Sequence, residues 1–241
     1  MFVAQTNSTN TLLKELIVSG NPPEFIYAGY QTAGRGQTGN SWESEENKNL
    51  LCSILLPPRT NLFELNVITA VSVYKAISEL GISELAIKWP NDIYWQDKKV
   101  AGILIENAIV GNEATYSIAG IGLNVNQTEW HSNAPNPISL KQITGKEYNI
   151  ETLMQQLLDK VRKVLQEDVW DDYKAHLYRR EGFWPFVERE VDTTPTMNAP
   201  TQTPGAFMAR IMDVLPTGEI VLEDKKGKQR KYHFKQIRYI L

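Results

Sequence analysis

The chain has little of what several protein classes require. Cys52 is its only cysteine among 241 residues, which excludes a disulfide framework and a thiolate metal cluster. The formal net charge is only −3, which argues against a protein that mainly coats nucleic acid. No apolar run approaches the ~20 residues of a membrane span, and the start, MFVAQTNSTN, lacks a secretory pattern. We therefore expect a cytoplasmic protein without a membrane or nucleic-acid partner.

The chain has enough apolar residues to build a core, since hydrophobic residues make up 42% of it. Helix and strand signals are mixed along residues 1–183, which predicts an α+β domain. Composition shifts after Gly182, where the Pro-rich stretch TTPTMNAPTQTPG reads as a linker and short strand signals follow. Residues 184–241 are therefore expected to form a small all-β unit, a partly open barrel.

Capping residues and apolar periodicity locate the main elements. Ser8 and Gly20 bound a first helix, and Asn61 and Asn149 begin two more. The apolar runs at 49–56, 100–105 and 116–121 have the length of strands. Cys52 lies inside the first of these runs, so we expect a buried, inert thiol.

A glycine-rich loop, GYQTAGRGQTGNSW, spans residues 29–42. Arg35 stands between Gly34 and Gly36, where its guanidinium and nearby backbone N–H groups suit a phosphate or carboxylate. Gln31 offers a hydrogen-bonding amide, and Trp42 offers a ring that stacks on a planar group such as a purine. The glycine spacing does not decide between this anion site and a flexible surface loop with a core tryptophan.

The segment KWPND, residues 88–92, has a proline that forces a turn after Trp89. Asp92 has the chemistry to hold Mg²⁺ or ribose, and Lys88 the charge to meet phosphate. A β-turn with an Asx motif explains the same composition, and it is the better interpretation of this segment taken alone.

Two further strands and one helix start carry candidate ligand contacts. Lys99 precedes small residues, among them Gly102, that allow a ligand to approach the backbone, whereas Lys98 is interpreted as a turn lysine. Asn124 ends the segment AGIGLN with a donor and an acceptor suited to an adenine edge, or it simply caps a strand. Ser8 is either a helix N-cap or a hydroxyl available to a ligand.

The three histidines lie apart in the sequence, at His131, His176 and His233, and suggest no Ser-His-Asp or Cys-His set. The other candidate groups are cationic side chains, one candidate metal ligand, an aromatic ring for stacking, and strands whose glycines leave the backbone accessible to a ligand. They favour nucleotide-dependent chemistry by positioning and electrostatics, without a covalent enzyme nucleophile.

In order, the motifs STN, GRGxxGxxW, KWPND, KVAGILxE and GIGxNxN resemble those of the biotin protein ligases, over essentially the whole chain. The resemblance implies a class II synthetase-like biotin–lipoate ligase fold: a mixed central sheet with flanking helices, plus a small C-terminal β-barrel. It also implies two steps, in which ATP converts biotin to biotinyl-5′-AMP and a lysine of a biotin carboxyl carrier protein domain then takes the biotin.

The resemblance also assigns residues. It implies Arg35 and Lys99 as the catalytic cations, and Asp92 as the ligand of Mg²⁺. The biotin-binding residues that it implies are Ser8, Thr9, Gln31, Gly34, Arg35, Gln37, Lys99 and Gly102. The ATP-binding residues that it implies are Trp42, Lys88, Asn91, Asp92 and Asn124.

The chain departs from the family pattern at Gln37, where many members have a second arginine. No helix-turn-helix pattern precedes Ser8, so we expect the monofunctional type, without operator binding, as a monomer or homodimer. A lipoate or octanoate protein ligase is the alternative function on the same fold. A nucleic-acid-binding module built on the basic segment Lys225–Lys231 is a third hypothesis, for which a solvated face is the preferred explanation.

Overall fold

The structure, a computed structural model, describes residues 1–37, 40–111, 113–132, 134–189 and 205–241. Its first strands and helices are β1 (Phe2–Thr6), α1 (Thr9–Val18), β2 (Phe25–Gln31), β3 (Leu50–Leu56), α2 (Leu62–Ser78), β4 (Leu85–Lys88) and β5 (Asp92–Trp95). The next are β6 (Lys98–Val110), β7 (Glu113–Leu123), α3 (Leu140–Thr144), α4 (Ile150–Val164) and α5 (Trp170–Ala175). The last five strands are β8 (Trp184–Glu188), β9 (Phe207–Val214), β10 (Ile220–Asp224), β11 (Gln229–Tyr232) and β12 (Ile237–Tyr239).

The first seven strands form one mixed sheet in the order β1-β2-β3-β7-β6-β5-β4. β1 pairs parallel with β2, and the other neighbours pair antiparallel. The predicted α+β fold with a mixed central sheet is therefore confirmed.

The two faces of this sheet have different roles, as the alternation along β7 shows. Ala119, Ile121 and Leu123 belong to the large core that also contains the buried sides of α2 and α4. Ile118 points the other way, into a small cluster with Leu13 of α1 and Ile26. Because side chains alternate along a strand, Gly120 and Gly122 share the α1 face with Ile118. This thinly covered face is where the site lies.

The predicted helix starts are confirmed. The Asn61 side chain accepts a hydrogen bond from Phe63 N at 3.1 Å, and that of Asn149 accepts one from Thr152 N at 2.8 Å. Such caps satisfy backbone N–H groups that lack a partner inside the helix. The sequence analysis did not identify β1, α3 or α5, which have only five or six residues each.

The C-terminal β unit is present as a five-stranded antiparallel sheet in the order β11-β10-β9-β8-β12. In the part of the chain that the structure describes, its edge strands β11 and β12 do not pair with each other, so it is an open sheet and not a closed barrel. The predicted linker falls almost entirely at 190–204, outside the described residues. The division at residues 183 and 184 stays a prediction.

The C-terminal sheet packs directly against the KWPND turn. Trp89 Nε1 donates to the Gly218 carbonyl at 3.0 Å, and the Trp89 ring lies 6.1 Å from that of Phe234, edge to face. Phe186 and Tyr239 join the same apolar core as α2 and α4. Among the described residues, no helix combines the length and hydropathy needed to cross a membrane.

Candidate active site

Glycines on adjacent strands make room for other side chains at the centre of the α1 face. Gly102 of β6 and Gly122 of β7 are paired directly. A Cβ on Gly122 would lie 2.4 Å from the Trp42 ring, and one on Gly102 would lie 2.9 Å from it. A Cβ on Gly120 would lie 2.4 Å from Asn10 Oδ1. Because real Cβ atoms do not approach this closely, the glycines are required for the observed packing.

Trp42 lies across this glycine surface, at the end of the glycine-rich loop. Its backbone N–H donates to the Gly34 carbonyl at 2.9 Å, and Arg35 and Ser41 form an isolated antiparallel bridge. The indole Nε1 is buried without a hydrogen-bond partner among the described residues. The loop therefore folds back on itself and presents Trp42 to the sheet, while the predicted loop residues 38 and 39 lie outside the described ranges.

A β-bulge aims Lys99 at the same surface. Ile93 pairs with Ala101 but Tyr94 pairs with Lys99, so β6 has one extra residue at this point. Without the extra residue, positions 99 and 102 would face opposite sides of the sheet. Lys99 Nζ instead lies 2.7 Å from Asp92 Oδ1 and 5.5 Å from the centre of the Trp42 ring. The bulge thus brings the predicted lysine, carboxylate and tryptophan together.

A chain of hydrogen bonds runs from the other end of the site. Gln31 Oε1 accepts from the Thr9 N–H at 2.8 Å and lies 3.1 Å from Thr9 Oγ1. Ser53 Oγ lies 2.7 Å from Thr9 Oγ1 and donates to Asn10 Oδ1 at 2.5 Å. Asn10 Nδ2 donates to Glu106 Oε2 at 2.6 Å. The chain fixes the orientation of each amide and hydroxyl, because every acceptor faces a donor.

Arg35 joins the chain at its acidic end. Its guanidinium donates to Glu106 Oε2 at 3.0 Å and to Thr11 Oγ1 at 3.3 Å. Both charged side chains are partly exposed, 46% and 38%, so their mutual attraction is screened and modest. Ser8 is the N-cap residue of α1, as predicted, but its side chain makes no capping hydrogen bond. Both interpretations of Ser8 are therefore compatible: it sits at the cap, and its hydroxyl is not used there.

Lys88 is a partly buried cation at the KWPND turn. Its Nζ donates to Tyr94 Oη at 3.0 Å and lies over the rings of Tyr94 and Tyr239, 4.5 and 5.3 Å from their centres. It forms no ion pair with any residue that the structure describes. Burial lowers the pKa of Lys88 to about 8; the Asp92 charge opposes this, and the Lys99 charge adds to it.

The two predicted asparagines are held by backbone groups. Asn91 Nδ2 donates to the Ile103 carbonyl, which ties the KWPND turn to β6. Asn124 Nδ2 donates to the Ile138 carbonyl at 3.1 Å and to that of Lys99 at 3.3 Å. Asn124 Oδ1 and Gln37 Oε1 are buried without a partner in the described part of the chain. Asn124 therefore has an acceptor left for a ligand, while its donor is already used.

Two other predictions concern the cysteine and the metal ligand. Cys52 is buried in β3, and burial raises the pKa of its thiol to about 12, so it is inert as expected. Within the described ranges, no three His, Cys, Asp or Glu side chains are grouped to hold a metal ion. Asp92 alone still suits Mg²⁺, because this ion commonly takes one or two protein carboxylates together with substrate phosphates.

The structure adds residues that sequence reasoning missed: Asn10, Glu43, Ser53, Tyr94, Glu106 and Tyr239. Most of them form contacts with residues far away in the sequence. Asn10, for example, donates a hydrogen bond to Glu106, which lies 96 positions later. Asn10 and Glu106 end the motifs STN and KVAGILIE. Their place in those motifs was the one signal available for them.

Comparison with known proteins identifies the family. A model of the Biotin/lipoate A/B protein ligase family matches residues 2–124. The bifunctional ligase/repressor BirA of Bacillus subtilis is 30% identical over 240 residues, covering 94% of this chain and 70% of that protein.

The chain belongs to the biotin/lipoate A/B protein ligase family.

Other ligases of this kind are similar to it. The biotin–[acetyl-CoA-carboxylase] ligase of Paracoccus denitrificans is 31% identical over 155 residues, covering 59% of this chain and 63% of that protein. The biotin protein ligase of Aquifex aeolicus, solved in complex with biotin and ATP, superimposes with a TM-score of 0.77 at 24% identity. That likeness covers 100% of this chain and 98% of the other, and it confirms the ligase fold.

Proposed function

We propose that this family member is an ATP-dependent biotin–protein ligase. Its substrates are biotin, ATP and a lysine of a biotin carboxyl carrier protein domain of a biotin-dependent carboxylase. The names of the relatives support biotin as the substrate. The observation that carries the proposal is the placement of Arg35 and Lys99 at the two ends of one glycine-thinned surface, with Trp42 lying across it.

The first step joins two anions. A carboxylate oxygen of biotin attacks the α-phosphorus of ATP, the bond from that phosphorus to the bridging oxygen breaks, and pyrophosphate leaves with the electron pair. Fixed cations offset the repulsion between the carboxylate and the phosphate. Lys99 and Arg35 supply this charge in our assignment. Each has a carboxylate partner, Asp92 or Glu106, that it must leave or share to meet the substrate.

The second step moves biotin to the carrier. The lysine amine attacks the acyl carbon of biotinyl-5′-AMP and loses a proton, and AMP leaves. No side chain of this chain needs to form a covalent bond, in agreement with the inert Cys52.

The other assigned residues bind and orient. Ser8, Thr9, Gln31, Gly34, Gln37 and Gly102 contact biotin in this proposal, and Trp42, Lys88, Asn91 and Asn124 contact ATP. Asp92 supplies the protein ligand of Mg²⁺, which neutralises phosphate charge when bound. The cytoplasmic location, the monomeric or homodimeric state and the absence of operator binding stay predictions.

The test incubates the purified chain with ATP, Mg²⁺ and labelled biotin, then adds a biotin carboxyl carrier domain. We expect biotinyl-5′-AMP by chromatography and label on the carrier lysine. Parallel reactions contain lipoate or octanoate in place of biotin. Adenylation of lipoate or octanoate, but not of biotin, would replace the proposal with the alternative ligase.

A further inference from the structure

Two separate segments of the chain carry the groups that we assign to adenine. Trp42 precedes the segment 43–49, and Asn124 begins the segment 124–132. The two segments are joined near the sheet, where Asn126 N donates to the Lys48 carbonyl at 2.7 Å and Glu45 N donates to Gln127 Oε1 at 3.0 Å.

Glu43, the residue after Trp42, makes another connection between the two segments. Its Oε1 accepts from the His131 N–H at 2.7 Å, and its Oε2 accepts from the Ser132 N–H at 2.8 Å. Both carboxylate oxygens are thus used by consecutive backbone N–H groups, a bidentate and charge-assisted arrangement. Burial raises the pKa of Glu43, but hydrogen bonds from the Ser132 side chain and from the backbone of His131 and Ser132 outweigh burial and hold the pKa below its usual value.

Buried polar atoms in and next to these two segments are left without a partner. Ser44 Oγ, Trp42 Nε1 and Trp130 Nε1 are buried, and none has a hydrogen-bond partner among the residues that the structure describes. They belong to the two segments that Glu43 joins. Glu43 follows Trp42 directly in the chain, so a contact that fixes Glu43 to the other segment also restrains the Trp42 ring.

We propose that Glu43 is a positioning residue for the adenine base: by clamping the 130–132 loop to Trp42, it orders the nucleotide half of the site. The inference rests on the proposed function, because it takes ATP as the ligand of Trp42 and Asn124. Glu43 touches neither the reacting carboxylate nor the phosphates in this scheme. Its loss should therefore weaken nucleotide binding and leave biotin binding unchanged.

The experiment compares Glu43→Ala and Glu43→Gln with the wild type. Glu46→Ala is the matched control, since it removes the same charge three residues later, where the carboxylate accepts a hydrogen bond from its neighbour Asn47 at 3.5 Å. The readouts are the KM for ATP, the KM for biotin and kcat for adenylate formation. A further readout is the Kd for α,β-methylene-ATP with Mg²⁺, measured with biotin present.

We expect Glu43→Ala to raise the KM and Kd for nucleotide about tenfold, as when a charge-assisted hydrogen bond no longer orders a binding segment. Glu43→Gln keeps one accepting oxygen, so its effect should be intermediate. The KM for biotin and the Glu46→Ala control should stay within about twofold of the wild type.

Two results would overturn the inference. One is an unchanged nucleotide Kd in Glu43→Ala, whatever happens to the melting temperature. The other is an equal rise in the KM for biotin and for ATP. A wild type that binds the ATP analogue but makes no biotinyl adenylate contradicts the proposed function alone, and the Glu43 comparison is then still decided by the nucleotide Kd.

Discussion

In the half of the site assigned to biotin, hydrogen bonds between protein groups run without a break from Gln31 through Thr9 and Asn10 to Glu106. In the half assigned to the nucleotide, Trp42 Nε1 and Asn124 Oδ1 are buried without partners among the described residues. A buried polar atom without a partner costs free energy. The comparison indicates that the network from Gln31 to Glu106 is preorganised. The nucleotide half, and the loop residue Gln37 on the biotin side, whose Oε1 is likewise buried without a partner among the described residues, are completed by a ligand.

The positively charged side chains of the site also differ in whether they already have a partner. Arg35 and Lys99 each have a carboxylate partner, while Lys88 is half-buried against two aromatic rings and has no ion pair in the described part of the chain. An anion that reaches Lys88 relieves a desolvated charge, whereas one that reaches Arg35 competes with Glu106. We therefore expect pH to act mainly on nucleotide binding.

The largest effect should come from Lys99→Ala, which removes the cation between the two halves. Adenylate formation should fall by about 10²–10³, the usual cost of losing a group that stabilises transition-state charge. Lys98→Ala is the matched control, since Lys98 is exposed and adjacent. Single-turnover assays with labelled biotin measure both. Adenylate formation at the wild-type rate in Lys99→Ala would remove Lys99 from the mechanism.

The next effect concerns pH and Lys88. Protonated Lys88 attracts phosphate, so ATP affinity should fall as pH rises through about 8, by up to about tenfold per pH unit above it. Lys88→Arg stays charged and should lose this dependence. The KM for ATP between pH 7 and 10 measures it. A parallel pH dependence in both proteins would show that another group is responsible.

The lowered pKa of Lys88 also makes the free energy of unfolding depend on pH. This dependence has the opposite sign to that of ATP affinity, because the stability contribution of Lys88 rises with pH. Lysine in the unfolded chain has a pKa of about 10.4, above the value of about 8 for folded Lys88. The unfolded state therefore binds more protons between these values, and the Lys88 contribution to the free energy of unfolding rises with pH across that window. Denaturant titrations of wild type and Lys88→Met should converge as pH increases from 8 to 10. Curves that diverge over this range would contradict the shifted pKa.

A smaller effect is expected at Gln37, where many biotin protein ligases have arginine. A charge-assisted hydrogen bond is about twice as strong as a neutral one, so Gln37→Arg should slow release of the adenylate several-fold. A pulse-chase with labelled biotin times that release. Release as fast as in the wild type, or faster, would show that Gln37 does not limit retention of the intermediate.

The sequence was informative where a local pattern determines local structure. Asn61 and Asn149 cap helices through neighbours two or three residues away. The biotin-side network was not predictable in this way. Glu106 meets Arg35 and Asn10, 71 and 96 positions away, and Glu43 meets His131, 88 positions away. No local pattern encodes such pairs, because they depend on the strand order and on how distant loops meet.

Gly120 and Gly122 provide the most direct test of a site with two separately built halves. A methyl at position 120 would displace Asn10 of the biotin network, and one at position 122 would displace Trp42. We predict that Gly120→Ala raises the KM for biotin about tenfold with little change in the KM for ATP, and that Gly122→Ala does the reverse. Equal effects of both variants on both substrates would contradict the division.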